Sequence, residues 1–242
     1  MDLSVVIPAR NEAENVGPLV AEIRAALDGR YDYEIIYVDD GSTDRTADEI
    51  RHCMKEGRVR LLRHPRSFGQ SASVQSGVYA ANAPLIATLD GDGQNDPADL
   101  PALVEKLRSA PAGSKLKMVI GNRVTRRDTV VRRISSRVAN GIRGSLLHDG
   151  TPDSGCGIKV FDRGTYLRLP FFDHMHRFLS ALFLRAGAEV ESVPVGHRPR
   201  TRGTSKYGIA NRLWAGIVDM LGVMWLRRRG CPGHTVTEEP EA

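Results

Sequence analysis

The chain reads as an α/β protein built on a mostly parallel sheet with helices on both faces. Short runs rich in Val and Ile alternate with stretches whose apolar residues recur at helical spacing. Those runs are apolar throughout, as strands buried on both faces are, and strand–helix–strand units connect parallel strands by right-handed crossovers. Two of them lead directly into acidic, turn-forming clusters, "VDDGSTD" and "DGDGQNDP". Open sheets of this class bind ligands just outside the carboxyl ends of their strands. At 242 residues, 41% hydrophobic and 26% charged, the chain has the length for one large domain with a substantial core.

The first strand is "LSVVIPA", β-branched and closed by Pro8. A helix follows in "NEAENVGPLVAEIRAALDG", with Val16, Leu19, Val20, Ile23 and Leu27 on one stripe and Gly29 as its stop. "YEIIYVDD" is the second strand, "TADEIRHCMKEG" a helix, "RVRLLRH" the third strand, "QSASVQSGVYAANA" a helix and "PLIATLD" the fourth strand. After "KMVIGNRV" the alternation stops. Val130, Ile134, Val138, Ile142 and Leu146 lie four apart with Arg132, Arg133, Arg137 and Arg143 off that stripe, which predicts a basic amphipathic helix. A Gly-rich loop and strand, "DSGCGIKVFD", a helix, "RFLSALFLRAGA", and a strand, "EVESVPVGHR", precede the polar loop "PRTRGTSKYG". The expected organisation is a catalytic domain over residues 1–208, an apolar helix over 209–230 and a disordered tail over 231–242.

The net charge of +5 suits phosphate-bearing partners or an anionic membrane surface, and equally an ordinary basic enzyme. Cys53, Cys156 and Cys231 lack metal-ligand spacing and are assigned no chemistry; Cys156 reads as a small packing residue. "MDLSVVIPARNE" has neither a basic n-region nor a long apolar h-region, so the expected location is cytoplasmic. "LWAGIVDMLGVMWL" is short for a membrane span and contains Asp219, which leaves a core or oligomer contact and an interfacial anchor as readings. His174 and His176 are taken as loop polarity.

Asp90 and Asp92 stand one residue apart at the end of a buried strand, where uncompensated charge is costly. Gly91 and Gly93 leave room for a ligand to approach. Oxygen donors without neighbouring His or Cys favour Mg²⁺ or Mn²⁺ over zinc. Two carboxylates leave such an ion open positions for a diphosphate. Asp96, before Pro97, has the look of a helix cap. Asp40 fits either a base or ribose contact or an Asx-turn, with Ser42 or Thr43 capping the next helix. The first turn carries "IPARNEAEN" where G-x-G-x-x-G would stand, which argues against a nicotinamide dehydrogenase.

Together "VVIPARNE", "VDDGSTD", "DGDGQNDP", "GNR", "DSGCGIKVF" and "HRPRTRGTSKYG" resemble, in order from Val5 to Gly208, the family 2 inverting glycosyltransferases of GT-A, Rossmann-like fold. Within them the chain is similar to the polyprenyl-phosphate, dolichol-phosphate mannose synthase-like branch. The resemblance implies that Pro8, Glu12 and Asp40, with Asp90, hold the nucleotide, and that Asp90, Asp92 and Gln94 surround the metal. It implies that Asp92, Arg123, Arg202 and Lys206 form the catalytic set around donor and acceptor phosphates. Ser67-Phe68-Gly69 departs from the Asn-x-Gly of many relatives, and many relatives continue into membrane-spanning helices where this chain ends.

A polyprenyl monophosphate is largely dianionic at neutral pH, because the second pKa of a phosphate ester is about 6. It needs no strong general base; the enzyme has to hold two phosphate groups close together and stabilise the departing diphosphate. Arginine grips phosphate bidentately and lysine acts as a point charge, and Gly203 and Gly208 suit a loop that closes over the donor. Arg133 and Arg137, with Ser205, are the expected acceptor-phosphate contacts; the alternative for that helix is a solvated surface. Expected partners are a nucleotide-sugar donor, the lipid phosphate, the inner membrane face, and a second copy or a membrane protein. A sugar hydroxyl as acceptor would call for a carboxylate base, for which Asp153 is the candidate, unless it orients the acceptor site or caps a turn. A non-catalytic basic module for lipid or nucleic acid is the other class. The arginines lack interleaved aromatics, and the acidic clusters repel a polyanion, so nucleic acid is not expected.

Overall fold

A computed structural model describes residues 1–123, 150–199 and 209–229, the last with side chains from residue 216. The expected basic helix with Arg133 and Arg137, the loop carrying Arg202, Ser205 and Lys206, and the 231–242 tail lie outside the described residues.

Seven strands form one sheet: β1 (Leu3–Ala9), β2 (Tyr33–Asp40), β3 (Val59–His64), β4 (Leu85–Thr88), β5 (Leu116–Arg123), β6 (Lys159–Asp162) and β7 (Glu189–Val195), in the order β3-β2-β1-β4-β6-β5-β7. Strand β6 is antiparallel to both its neighbours, and all other pairs are parallel. The Gly-rich stretch "DSGCG" contributes a turn, and only its continuation "KVFD" is strand. β2 is buried along its whole length, as its unbroken run of Ile, Tyr and Val requires.

Helices α1 (Ala13–Leu27), α2 (Thr46–Met54) and α4 (Leu100–Arg108) pack in one group around α1; α3 (Gln70–Ala80) packs with the short helix Arg163–Leu167 and the turn Met175–Arg177. In α1 the buried residues Val16, Leu19, Val20, Ile23 and Leu27 are the predicted stripe. α3 has a weaker stripe and relies on close approach instead: a Cβ on Gly77 would overlap Val6 of β1. Asp96 accepts from Ala98 N at 3.0 Å with Pro97 as the next residue, so it is the cap its sequence position suggests.

The final helix, Ile209–Arg228, docks through Val223 against Phe178 and Ala181, with Met220, Met224 and Phe172 around them. Its outer side exposes Val218, Leu221 and Trp225. Among the described residues no helix is long and apolar enough to cross a membrane.

His174 and His176 are joints in the packing rather than loop polarity. His174, at a left-handed φ of 63°, holds Asp219 of the final helix at 3.0 Å. His176 is half-buried with its Nδ1 2.7 Å from Ser71 Oγ on α3. Burial, followed by the charges of Lys159 and Arg177, lowers its pKa from 6.5 to about 3. The imidazole is therefore neutral when folded and shares a hydrogen bond with the Ser71 hydroxyl. The unfolded chain takes up a proton near pH 6.5 that the folded chain refuses, so stability present above that pH drains away as pH falls toward 3. His176→Gln is expected to lower the denaturation midpoint at pH 7 and to flatten its decline between pH 7 and 4. Chemical denaturation at both pH values checks this; a decline as steep as wild type's would assign the acid sensitivity elsewhere.

Candidate active site

The parallel register brings three loops to one edge. β1 pairs with β2 from Leu3–Tyr33 to Ala9–Asp39 and with β4 from Leu3–Leu85 to Val6–Thr88. The chain after β1 (Pro8 to Glu12), the end of β2 (Asp39, Asp40) and the loop after β4 (Asp90 to Asp96) therefore emerge together. Gly91 sits so close to β1 that an added Cβ would lie 2.9 Å from Pro8 O. The first two loops are knitted together. Asn11 N donates to Ser42 Oγ at 2.9 Å, Thr43 N to Asn11 Oδ1 at 2.8 Å and Glu12 N to Thr46 Oγ1 at 2.8 Å. Glu12 Oε2 accepts from Asn15 at 2.7 Å, and a cavity of about 620 Å³ opens beside Asn11, Glu12, Asp44 and Arg45.

Asp40 is buried and turned toward residues 64–69. One carboxylate oxygen meets His64 Nδ1 at 2.8 Å and accepts from Phe68 N at 2.8 Å. The other accepts from Ser67 Oγ at 2.6 Å and Gly69 N at 2.9 Å. Burial works against its charge, but these four bonds hold the carboxyl below its ordinary range. Ser67, which stands where many relatives have the Asn of Asn-x-Gly, is one of the donors. Asp39 is committed as well, to Ser42 N at 2.9 Å and Arg63 Nε at 3.1 Å. The Asx-turn falls instead at Asp44, which, rather than Ser42 or Thr43, accepts from Thr46 N at the start of α2 (2.9 Å).

Asp90 is the electrostatic centre. Burial raises its pKa first and the neighbouring charge of Asp92 raises it further; Lys159, Arg123 and the Gln70 bond pull the other way. Gln70 Nε2 donates to Asp90 Oδ1 at 2.8 Å from the first turn of α3, behind Gly69 with its φ of 91°. Asp92 Oδ1 accepts from Gln94 N at 3.1 Å, and Asp90 N donates to Asn95 Oδ1 at 3.0 Å, so the loop is shaped from within. Gln94 also gives its backbone oxygen to Arg198 N at 3.0 Å.

Two basic side chains, half-buried Arg123 and buried Lys159, face this pair. Arg123, at the end of β5, grips Asp153 with Nε at 2.5 Å and Nη2 at 2.8 Å. Its own burial opposes the charge, yet the Asp153 pair raises its pKa overall. Lys159, at the start of β6, is buried with its Nζ on Cys156 O, and burial lowers its pKa. Cys156 is buried, its thiol pKa is raised by that burial, and it packs rather than reacts.

Sequence reasoning placed Pro8, Glu12, Asp40, Asp90, Asp92, Gln94 and Arg123 at this edge, and the structure brings them there. It assigned no role to Gln70, Lys159 or the Asp153–Arg123 pair. Lys159 was within reach, since it stands inside "DSGCGIKVF" on an otherwise apolar strand.

The donor set suits a hard divalent cation. Two carboxylates close enough to repel need a counter-charge, and all the candidate ligands are oxygens. Among the described residues there is no group of three His, Cys, Asp or Glu able to hold a metal alone, so remaining positions would fall to a bound ligand. Gly157 seals the back of this site. A Cβ there would collide with Asp90 Oδ2 and lie 2.5 Å from Asn95 Oδ1. Gly157→Ala is accordingly expected to displace the Asp90 carboxylate and weaken divalent-ion binding about tenfold or more while far-UV circular dichroism is retained. Titration calorimetry with Mn²⁺ checks it, and unchanged affinity would show that the loop tolerates the shift.

Residues 4–168 match the family described as Glycosyl transferase family 2. The chain is 37% identical over 241 residues to a dodecaprenyl-phosphate galacturonate synthase of Rhizobium johnstonii, covering 97% of this chain and 70% of that one. It is 32% identical over 211 residues to an undecaprenyl-phosphate 4-deoxy-4-formamido-L-arabinose transferase of Edwardsiella ictaluri, covering 86% of this chain and 63% of the relative. In fold it is similar to glucosyl-3-phosphoglycerate synthase from Mycobacterium tuberculosis, solved with Mn²⁺, UDP and glucosyl-3-phosphoglycerate, at a TM-score of 0.69 and 20% identity over 93% of this chain and 79% of that one. The same enzyme with Mg²⁺ and UDP gives a TM-score of 0.69 at 19% identity, covering 93% of this chain and 79% of that chain. The matched family and the carboxylate-centred edge of a mostly parallel sheet agree: this chain belongs to glycosyl transferase family 2.

Proposed function

We propose that the protein transfers a sugar from a nucleotide-sugar donor to a polyprenyl phosphate, with inversion at the sugar carbon, at the cytosolic face of a membrane. The observation that carries this reading is the adjacency of Asp90 and Asp92 to the basic side chains of Arg123 and Lys159. That arrangement suits two phosphate-bearing ligands side by side: a diphosphate on the carboxylate side through a cation, and a second phosphate on the basic side. The names of the two polyprenyl-phosphate relatives support the acceptor class. The Mn²⁺ and UDP of the fold neighbour support the donor class.

In this reading Pro8 and Glu12 line the nucleoside side, and Asp40 acts by holding residues 64–69 as a wall. Asp90, Asp92 and Gln94 hold Mg²⁺ or Mn²⁺, which when bound neutralises charge gathering on the departing nucleoside diphosphate. Arg123, kept in orientation by Asp153, presents its cation to the acceptor phosphate; Arg202, Lys206, Arg133, Arg137 and Ser205 complete the phosphate contacts. An acceptor oxygen bonds to the anomeric carbon as that carbon's bond to the diphosphate breaks. No proton has to be removed from a dianionic phosphate. The hydroxyl-acceptor alternative loses its candidate base here, since Asp153 is engaged bidentately by Arg123 and an ion-paired carboxylate is a poor proton acceptor. Val218, Leu221 and Trp225 on the final helix, followed by Arg227–Arg229, suit contact with an anionic bilayer surface.

The test is a transfer assay with Mn²⁺ or Mg²⁺, a short polyprenyl phosphate and a panel of labelled UDP- and GDP-sugars, read as label entering the organic phase. Wild type is expected to make an acid-labile lipid product that disappears with EDTA. Asp92→Ala is expected to lose at least about a hundredfold in rate. Donor binding without any lipid product would sink the lipid-phosphate acceptor; no donor binding would sink the transferase chemistry.

A further inference from the structure

The loop carrying Asp90 and Asp92 is shaped by its own bonds, but its position on the body of the protein is set from a distant part of the chain. Gly196 N donates to Asp99 Oδ2 at 2.9 Å and Arg198 N to Gln94 O at 3.0 Å. The Arg198 guanidinium then bridges two elements, with Nη2 2.7 Å from Asp96 Oδ2 at the end of the loop and Nη1 2.7 Å from Glu22 Oε2 on α1. A cavity of about 370 Å³ lies between them, bordered by Asn15, Glu22, Gly93 and Arg198.

We propose that Arg198 is a positioning residue for the metal loop, clamping residues 94–99 to α1 so that Asp90 and Asp92 are held where a divalent cation and a diphosphate need them. The inference rests on the donor reading given above. Its physical basis is the planar guanidinium, which spans two carboxylates on separate elements; an ammonium on a flexible stem satisfies one at a time. The three side chains are partly exposed, Arg198 at 40%, Glu22 at 43% and Asp96 at 28%. Ion pairs this exposed add little to global stability. The clamp therefore fixes a loop without holding up the fold, and the two roles separate experimentally. The mouth of the cavity beside Gly93 gives the loop somewhere to go once the guanidinium is removed.

The experiment is Mn²⁺ titration of the full chain followed by electron paramagnetic resonance, with UDP or GDP present, on wild type, Arg198→Ala, Arg198→Lys and Glu22→Gln, beside thermal melting of each. Arg198→Ala is expected to need roughly tenfold more Mn²⁺ for half-saturation, the scale of losing a residue that orients metal ligands. Arg198→Lys and Glu22→Gln are expected to fall between it and wild type, with all four melting temperatures close together. Wild-type Mn²⁺ affinity in Arg198→Ala would overturn the proposal. So would an affinity loss that merely tracks a lowered melting temperature. If wild type itself binds no Mn²⁺ with either nucleotide, the donor reading falls and this one with it, an outcome distinct from an unaffected variant.

Discussion

The structure turns on a repulsion. Asp90 and Asp92 place two negative charges at the end of β4, where burial already raises the Asp90 pKa and Asp92 raises it further. Such a pair is tolerable only where opposite charge is supplied. The chain supplies part of it through Lys159 and Arg123, and part of the hydrogen bonding through Gln70. In the proposed function the remainder would come from a bound divalent cation. Many other features follow. Gly157 is a glycine because Asp90 leaves no space for a Cβ, and Gly91 is one because Pro8 O is in the way. Asp153 holds Arg123 so that a cation beside the pair keeps a fixed direction.

A second principle is that the carboxylates ending β2 work inward. Asp39 and Asp40 both end β2, and both use their oxygens to organise loops rather than facing solvent. Four short bonds from residues 64–69 make Asp40 a fixed post, so any ligand beside it meets a wall that does not need to reorganise. α3 then links the two halves of the site. Its leading Gly69 bonds Asp40, its first residue Gln70 bonds Asp90, and Ser71 bonds His176.

What the sequence discloses follows the range of the interaction. The strands and α1 are visible because burial imposes a pattern on adjacent residues, and Asp96 is visible because a cap acts within two residues. Asp90 and Asp92 stand out because acids directly after an apolar strand contradict their surroundings. The groups that stabilise them come from elsewhere: Gln70 lies 20 residues away from Asp90, and the opposing charges of Arg123 and Lys159 come from further along the chain. No local pattern encodes such pairs. His174 and His176 mislead for the same reason, since their partners are Asp219 and Ser71, 45 and 105 residues off.

This division has a consequence for specificity within the fold. The acidic loop and the strand ends are legible in local pattern, and in the proposed function they deal with what nucleotide-sugar donors share, a diphosphate and its cation. The long-range contacts decide where those parts sit relative to one another, and thus how far the donor diphosphate lies from the second phosphate. Two dianionic groups approach closely only if the cations between them are already in place, because rearranging charged side chains during the reaction would forfeit the advantage of a preorganised site. Arg123 locked on Asp153 and Lys159 locked on Cys156 O are side chains whose orientation is settled before any ligand binds. In the proposed function the two sides are thus complementary: the basic side is fixed by the fold, and the acidic side would be completed by a bound cation and the donor.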